Sequence, residues 1–160
     1  MILGKNCYIS ERSSIRGKVE FGDNCSVFDF ASIRADLGEI KIGNGTNIQD
    51  NCTLHVDPGF NISIGELVSV GHNAVLHGCK IGNNCLIGMG AIVMNGAEIG
   101  EGSVIGAGTL ITQNTKIGAN STVVGVPGKV ISVSSLNPET AKINAEEYIR
   151  LKNKYIEGLI

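Results

Sequence analysis

This 160-residue chain has no tryptophan, only three prolines and an aromatic content of 4%. A core built on large rings is therefore excluded, and the interior must be filled by slender side chains. The five cysteines are an odd number and include no CxxC pair, which argues against both a disulfide framework and a thiolate zinc site. The net charge is −2 and no lysine or arginine run occurs, so nucleic acid and polybasic membrane contact have no electrostatic support. No stretch approaches the ~20 apolar residues of a membrane span, and Met1–Asn6 lacks the apolar core of a signal peptide. The expectation is a soluble cytoplasmic protein with a small-molecule partner, no nucleic-acid partner and no membrane.

What abounds is glycine, 22 residues, and isoleucine, 21. Glycine at that density would break a helical bundle. Both residues fall into register once a period of six is applied. Aliphatic residues recur at Ile81, Ile87, Val93, Ile99, Ile105, Ile111, Ile117 and Val123. The same spacing links Leu3, Ile9, Ile15, Phe21, Val27 and Ile33, then Ile42, Ile48 and Leu54, then Ile64, Val70 and Leu76. Insertions at Asp36–Glu39 and Asp57–Asn61 and a five-residue unit at Leu76 interrupt it. Cys7, Cys25, Cys52 and Cys85 hold the fifth position of their units, two strand positions from an inward aliphatic, and so read as core filler. Cys79, in the shortened unit, reads the same way.

After Gly125-Val126-Pro127-Gly128 the period changes. Asn137-Pro138 reads as a helix N-cap with proline at the first helical position, followed by a stripe of Ala141, Ala145, Tyr148, Leu151, Tyr155 and Leu159. A helix over about 138–158 would be ~31 Å long at 1.5 Å per residue, able to fold back along the repeat with its tyrosines as packing residues.

The residue after each inward aliphatic separates three classes of unit. In every third unit it is glycine: Gly4, Gly22, Gly43, Gly65, Gly82, Gly100 and Gly118. In the next it is mixed: Ser10, Phe28, Gln49, Gly71, Gly88, Gly106 and Val124. In the last it is never glycine: Arg16, Arg34, His55, His77, Met94 and Thr112. If three units make one coil, His55 and His77 stack on successive coils ~4.8 Å apart, a separation that suits two ligands of one metal. His72 precedes His77 by five residues, a span of roughly 16 Å at most, across a corner. Its own chain does not bring it to that metal, whereas a neighbouring copy in a threefold ring would. Three imidazoles leave a fourth tetrahedral position for water, the arrangement of catalytic zinc, and iron or cobalt suit the same ligands. The plainer readings are solvated histidines, or a single histidine base of the kind hexapeptide acyltransferases use.

The [Leu/Ile/Val]-Gly-x-x-x-x pattern resembles the hexapeptide-repeat proteins over residues 3 to about 126. That resemblance implies an all-β fold: a left-handed parallel β-helix of about six to seven coils over 1–126, with linker and C-terminal α-helix over 127–160, one domain overall. Ile33-Arg34-Ala35-Asp36, Asn47-Ile48-Gln49-Asp50-Asn51, Leu54-His55-Val56-Asp57 and Val70-Gly71-His72-Asn73-Ala74-Val75-Leu76-His77 are similar in order and spacing to the motifs of the γ-class carbonic anhydrases. Gly88-Met89-Gly90-Ala91 and Gly125–Lys129 extend the match. The resemblance implies a homotrimer with zinc at each subunit interface, His55 and His77 from one chain and His72 from the next. It implies reversible hydration of CO2 to bicarbonate by metal-bound hydroxide, with Gln49 orienting the water and Arg34 beside bicarbonate, held by Asp36 and Asp50. Arg34, Asp36 and Asp50 also read as an inter-subunit salt-bridge network without catalytic duty, and the two readings are compatible. Departures concern the proton: Leu37 stands where the best-known enzymes have a second acidic residue, and the Asp57–Asn61 loop carries no glutamate shuttle. Fast turnover is thereby in question, with Asp57 reading as a turn residue before Pro58 or as a substitute shuttle. Three other functions fit the pattern: a metal-dependent ester or thioester hydrolase on the same site, a CoA-dependent acyltransferase, and a scaffold subunit stabilised by its metal.

Overall fold

The structure is a computed structural model that describes residues 1–160. The chain winds into a left-handed parallel β-helix whose short strands stack in register, three per coil, closed by a C-terminal helix. On the first face Leu3, Phe21, Ile42, Ile64, Ile81, Ile99 and Ile117 form one ladder. On the second, Ile9, Val27, Ile48, Val70, Ile87, Ile105 and Val123 do the same. Ile15, Ile33, Leu54, Leu76, Val93 and Ile111 make the third. This is the register that the period of six implies, with both insertions and the short unit absorbed at corners. The ladder residues meet along the prism axis in a single apolar cluster.

Why glycine follows the aliphatic on the first face is now a steric matter. A Cβ on Gly43 would stand 2.6 Å from the carbonyl oxygen of Gly65 on the next coil, and one on Gly22 would meet Asn44 at 2.4 Å. The chain turns its corner there, and adjacent coils touch backbone to backbone. On the third face Thr53–His55 and Val75–His77 continue as strand through that position, so the histidines project outward before the chain turns. At these two coils the corner comes one residue later, which leaves room for a side chain.

Cys25, Cys52, Cys79 and Cys85 are buried, Cys7 is half-buried, and all five are free thiols. Burial pushes the Cys25 and Cys79 thiols up to about 12 and those of Cys52 and Cys85 up to about 11. They fill the core and stay protonated, as thiolate ligands could not.

Two local expectations are corrected beyond Val124. The segment read as linker contains a strand, Lys129–Val133, antiparallel to Ser121–Val124, with all five of its residues exposed. Asn137 does not cap the helix by its side chain. The helix runs Asn137–Ile156 from an N-cap at Leu136, and Asn137 Nδ2 instead donates to Asn120 O (3.0 Å) and Thr122 Oγ1 (2.9 Å), tying the helix start to the last coil. The helix then packs along the second face over Tyr8–Ile9, Ser26–Val27, Asn47–Ile48 and Ser69–Val70. Tyr148 and Tyr155 close on Phe28, with ring centroids 5.5 and 5.7 Å away, so the tyrosines are packing residues. Ala141 and Ala145 are buried as the stripe implies, but Lys152 is buried too while Leu159 is 66% exposed. Lys152 donates to Asn153 Oδ1 at 2.5 Å. Burial depresses its ammonium below the ordinary 10.5.

Two stability measurements follow from these contacts. Gly43→Ala should cost about 1–3 kcal/mol by thermal or chemical unfolding, whereas Gly118→Ala, where the nearest atom would be 4.0 Å from the new Cβ, should change stability by less than about 0.5 kcal/mol. Equal effects would contradict the steric account. For Lys152 the folded state binds its proton less well than the unfolded state, so its cost is present at neutral pH and fades as pH rises through 10.5. Lys152→Met should therefore raise Tm at pH 7 by about 2–4 °C per kcal/mol recovered, and the gain should shrink towards pH 10–11. A gain that grows with pH would have the wrong sign.

Candidate metal centre

The ladder sets Arg16, Arg34, His55 and His77 one above another on successive coils. His55 Nδ1 and His77 Nε2 face each other at 2.9 Å. Which of these nitrogens carries a proton is decided by what the other side of each ring touches. His77 Nδ1 lies 2.7 Å from Asn95 Oδ1, and Asn95 Nδ2 donates to Asp57 Oδ2 at 2.8 Å. A carboxylate accepts only, so the amide is fixed with its oxygen towards His77, and His77 Nδ1 is the donor. On the other ring His55 Nε2 lies 3.2 Å from Asp36 Oδ1. The Arg34 guanidinium, hydrogen-bonded to Asp36 Oδ2, holds the Asp36 carboxyl below the usual carboxylate range. Asp36 is therefore an acceptor at neutral pH, and His55 Nε2 is the donor.

In the neutral rings the two facing nitrogens then hold lone pairs, and a cation between them would be shared by both. Two tetrahedral Zn–N bonds of about 2.0–2.1 Å set their nitrogens roughly 3.3 Å apart, so a small opening of the pair accommodates a metal. The donor set thus fits a borderline divalent metal, and its outer partners fix the tautomers. Asp57 adds a carboxylate: one ligand atom from each of His55, Asp57 and His77 lies within 4.8 Å of the others.

His72 stands elsewhere. It follows the second-face strand Ser69–Val70, at the corner shared with Gln49 and Asp50. Its Nδ1 is 2.9 Å from Asp50 Oδ2, its backbone N–H donates to Gln49 Oε1 (3.2 Å), and Nε2 bonds nothing within the chain. Gln49 is buried and its Nε2 donates to Asn47 Oδ1 at 3.0 Å, so it braces the His72 corner. The chain therefore brings together Arg34, Asp36, His55 and His77 on one edge and Gln49, Asp50 and His72 on another. Asp50 pairs with His72 and makes no contact with Arg34 inside the chain. His55 and His77 share one construction, one nitrogen hydrogen-bonded to an oxygen acceptor and the other left for a ligand, and His72 has a carboxylate beside one nitrogen and no partner in the chain on the other.

Asn95 was invisible in the sequence. It lies 18 residues after His77, one coil further on, but asparagine is also the ordinary residue of the corner turns, as at Asn24, Asn73 and Asn84. Only the stacking distance would have singled it out.

Two family descriptions match the chain: bacterial transferase hexapeptide (six repeats) over residues 78–113, and hexapeptide repeat of succinyl-transferase over 61–93. A Methanocaldococcus jannaschii protein named a probable carbonic anhydrase is 50% identical over 94% of this chain and 95% of its own length. A Geobacillus kaustophilus carbonic anhydrase is 37% identical over 97% of this chain and 82% of its own. Among solved structures, a hexapeptide transferase family protein from Anaplasma phagocytophilum superposes with a TM-score of 0.79 at 31% identity, covering 96% of this chain and 97% of that one.

Asn95→Leu removes the acceptor that places the His77 proton. It should weaken metal affinity about 10–100-fold in competition with a chromophoric chelator, with the β-sheet circular dichroism unchanged. Unaltered affinity would remove Asn95 from the centre.

Proposed function

The chain belongs to the γ-class carbonic anhydrase-like family of hexapeptide-repeat proteins, and on that premise we propose that it catalyses reversible hydration of CO2 to bicarbonate as a homotrimer with metal centres shared between subunits. The observation that carries this reading is the pair of ring nitrogens, His55 Nδ1 and His77 Nε2, that their outer hydrogen-bond partners leave facing each other at 2.9 Å. The third ligand is the partner subunit's His72, whose Nε2 bonds nothing in its own chain while Asp50 anchors the other nitrogen. Zinc is the first choice of metal, with iron or cobalt taken by the same ligands. When bound, such a metal lowers the pKa of water to about 7 and so makes hydroxide available at neutral pH.

The chain's own residues do the rest. Asp36 orients His55, and Arg34, held by that same carboxylate and half-exposed beside the histidines, presents a cation to the developing bicarbonate. Gln49 and Asp50 seat His72, and with it would reach the neighbouring chain's centre, Gln49 near the attacking water and Asp50 near Arg34. No glutamate stands in the Asp57–Asn61 loop, so rapid proton export has no glutamate shuttle there and the proposed activity is a modest one. The rival acyltransferase reading requires one free imidazole base. The facing His55 and His77 nitrogens suit a cation better than an acyl acceptor's alcohol or amine, and His72 Nε2, free within the chain, is the one imidazole nitrogen that the rival reading could use. An ester hydrolase or a scaffold would keep the same metal and is separated by assay.

Stopped-flow CO2 hydration by metal-replete trimers is the direct test; intact metal with no hydration would contradict the proposed activity. Sharing is tested by mixing chains. His55→Ala and His72→Ala trimers should each be inactive. Co-refolded at equal amounts they should regain about a quarter of wild-type activity, since each mixed ring restores one complete set of three histidines. Mixed trimers with no recovery would contradict the shared centre.

A further inference from the structure

The Asp57–Asn61 insertion breaks the repeat directly after His55 and is built to stay in place. Phe60 N–H donates to Asp57 O at 2.9 Å, and Asn61 Oδ1 accepts from the Glu39 N–H at 2.9 Å. Phe60 lies over two glycines: a Cβ on Gly78 would be 2.6 Å from Phe60 Cβ, and one on Gly96 would be 3.2 Å from its ring. The loop returns Asp57 to the histidines, with Oδ2 at 4.0 Å from His77 Nδ1 and 2.8 Å from Asn95 Nδ2. Its other oxygen, Oδ1, accepts no hydrogen bond. The contrast with Asp36 is informative, because that carboxylate spends one oxygen on Arg34 and the other on His55. Of the two carboxylates beside the imidazole pair, only Asp57 has an oxygen to offer.

We propose that Asp57 is a metal ligand in cis, forming with His55 and His77 a two-histidine, one-carboxylate site that a single chain loads before assembly, and that the partner subunit's His72 takes its place in the trimer. The inference rests on the shared-centre reading above. One ligand atom from each of the three residues already lies within 4.8 Å of the others, and ligands of one ion stand about 3 Å apart, so rotation of the side chains would bring the set together. Two imidazoles and a carboxylate with open positions suit Fe²⁺ or Co²⁺ as well as Zn²⁺. The insertion thereby has a use that a plain turn would not explain.

Cobalt(II) titration of metal-free protein, read by visible absorption and by metal retained through gel filtration, tests it. His72→Ala should still take one cobalt per chain, bound about 10–100-fold more weakly than in wild type, with an altered spectrum. His72→Ala combined with Asp57→Asn should take none. Asparagine keeps the acceptor for Asn95 and the turn but lacks the charge, so circular dichroism should stay native. Loss of cobalt from His72→Ala as complete as from His55→Ala overturns the proposal, as does retention that Asp57→Asn leaves unchanged. Failure of the shared centre itself has a different signature: His72→Ala with wild-type affinity and full hydration activity.

Discussion

Parallel strands stacked about 4.8 Å apart fix everything else in this molecule. Each coil closes on an inward aliphatic, and each aliphatic sits directly over its counterpart, from Leu3 to Ile117 on the first face and from Ile15 to Ile111 on the third. That ladder converts sequence separation into a vertical column. Residues 22 apart, His55 and His77, become neighbours, and a residue one coil further, Asn95, becomes the partner of one of them. The same stacking forbids side chains where coils touch at corners, which is why glycine lines the first face and the His55–His77 column stands on the third.

The candidate metal centre follows from that column. Three oxygens, one each from Asp36, Asn95 and Asp57, surround the two rings and accept their N–H groups or orient the group that does. The ladder brings the two nitrogens left over face to face at 2.9 Å, and a small opening of the rings would seat a cation between them. His72 stands on a different edge beside Asp50, and the proposed ring of chains would let the two edges meet.

Much of this was legible in the sequence because the period of six is carried by buried residues, and burial is what patterns report. The three faces, the stacking of His55 on His77 and the separation of His72 all follow from counting sixes around the two insertions. What was not legible has physical reasons. Lys129–Val133 is exposed throughout and so carries no apolar period. Lys152 reads as a surface residue by its charge, yet its four-carbon stem is packed under the helix, where Leu159 was expected to continue the stripe. Asn137 has the right chemistry for a cap but lies one residue inside the helix, its amide donating to the last coil. The roles of Asn95 and Asp57 depend on hydrogen-bond direction, which no spacing encodes.

The central claim is that the nitrogens facing each other on His55 and His77 are the two ligands one chain gives to a metal. Anomalous diffraction from crystals of zinc-loaded protein, collected on both sides of the zinc absorption edge, tests it most directly. A single strong peak per chain, within about 2.0–2.1 Å of both His55 Nδ1 and His77 Nε2, is the expected result. A peak bonded to neither nitrogen, or zinc-loaded crystals with no peak between the two rings, would contradict it.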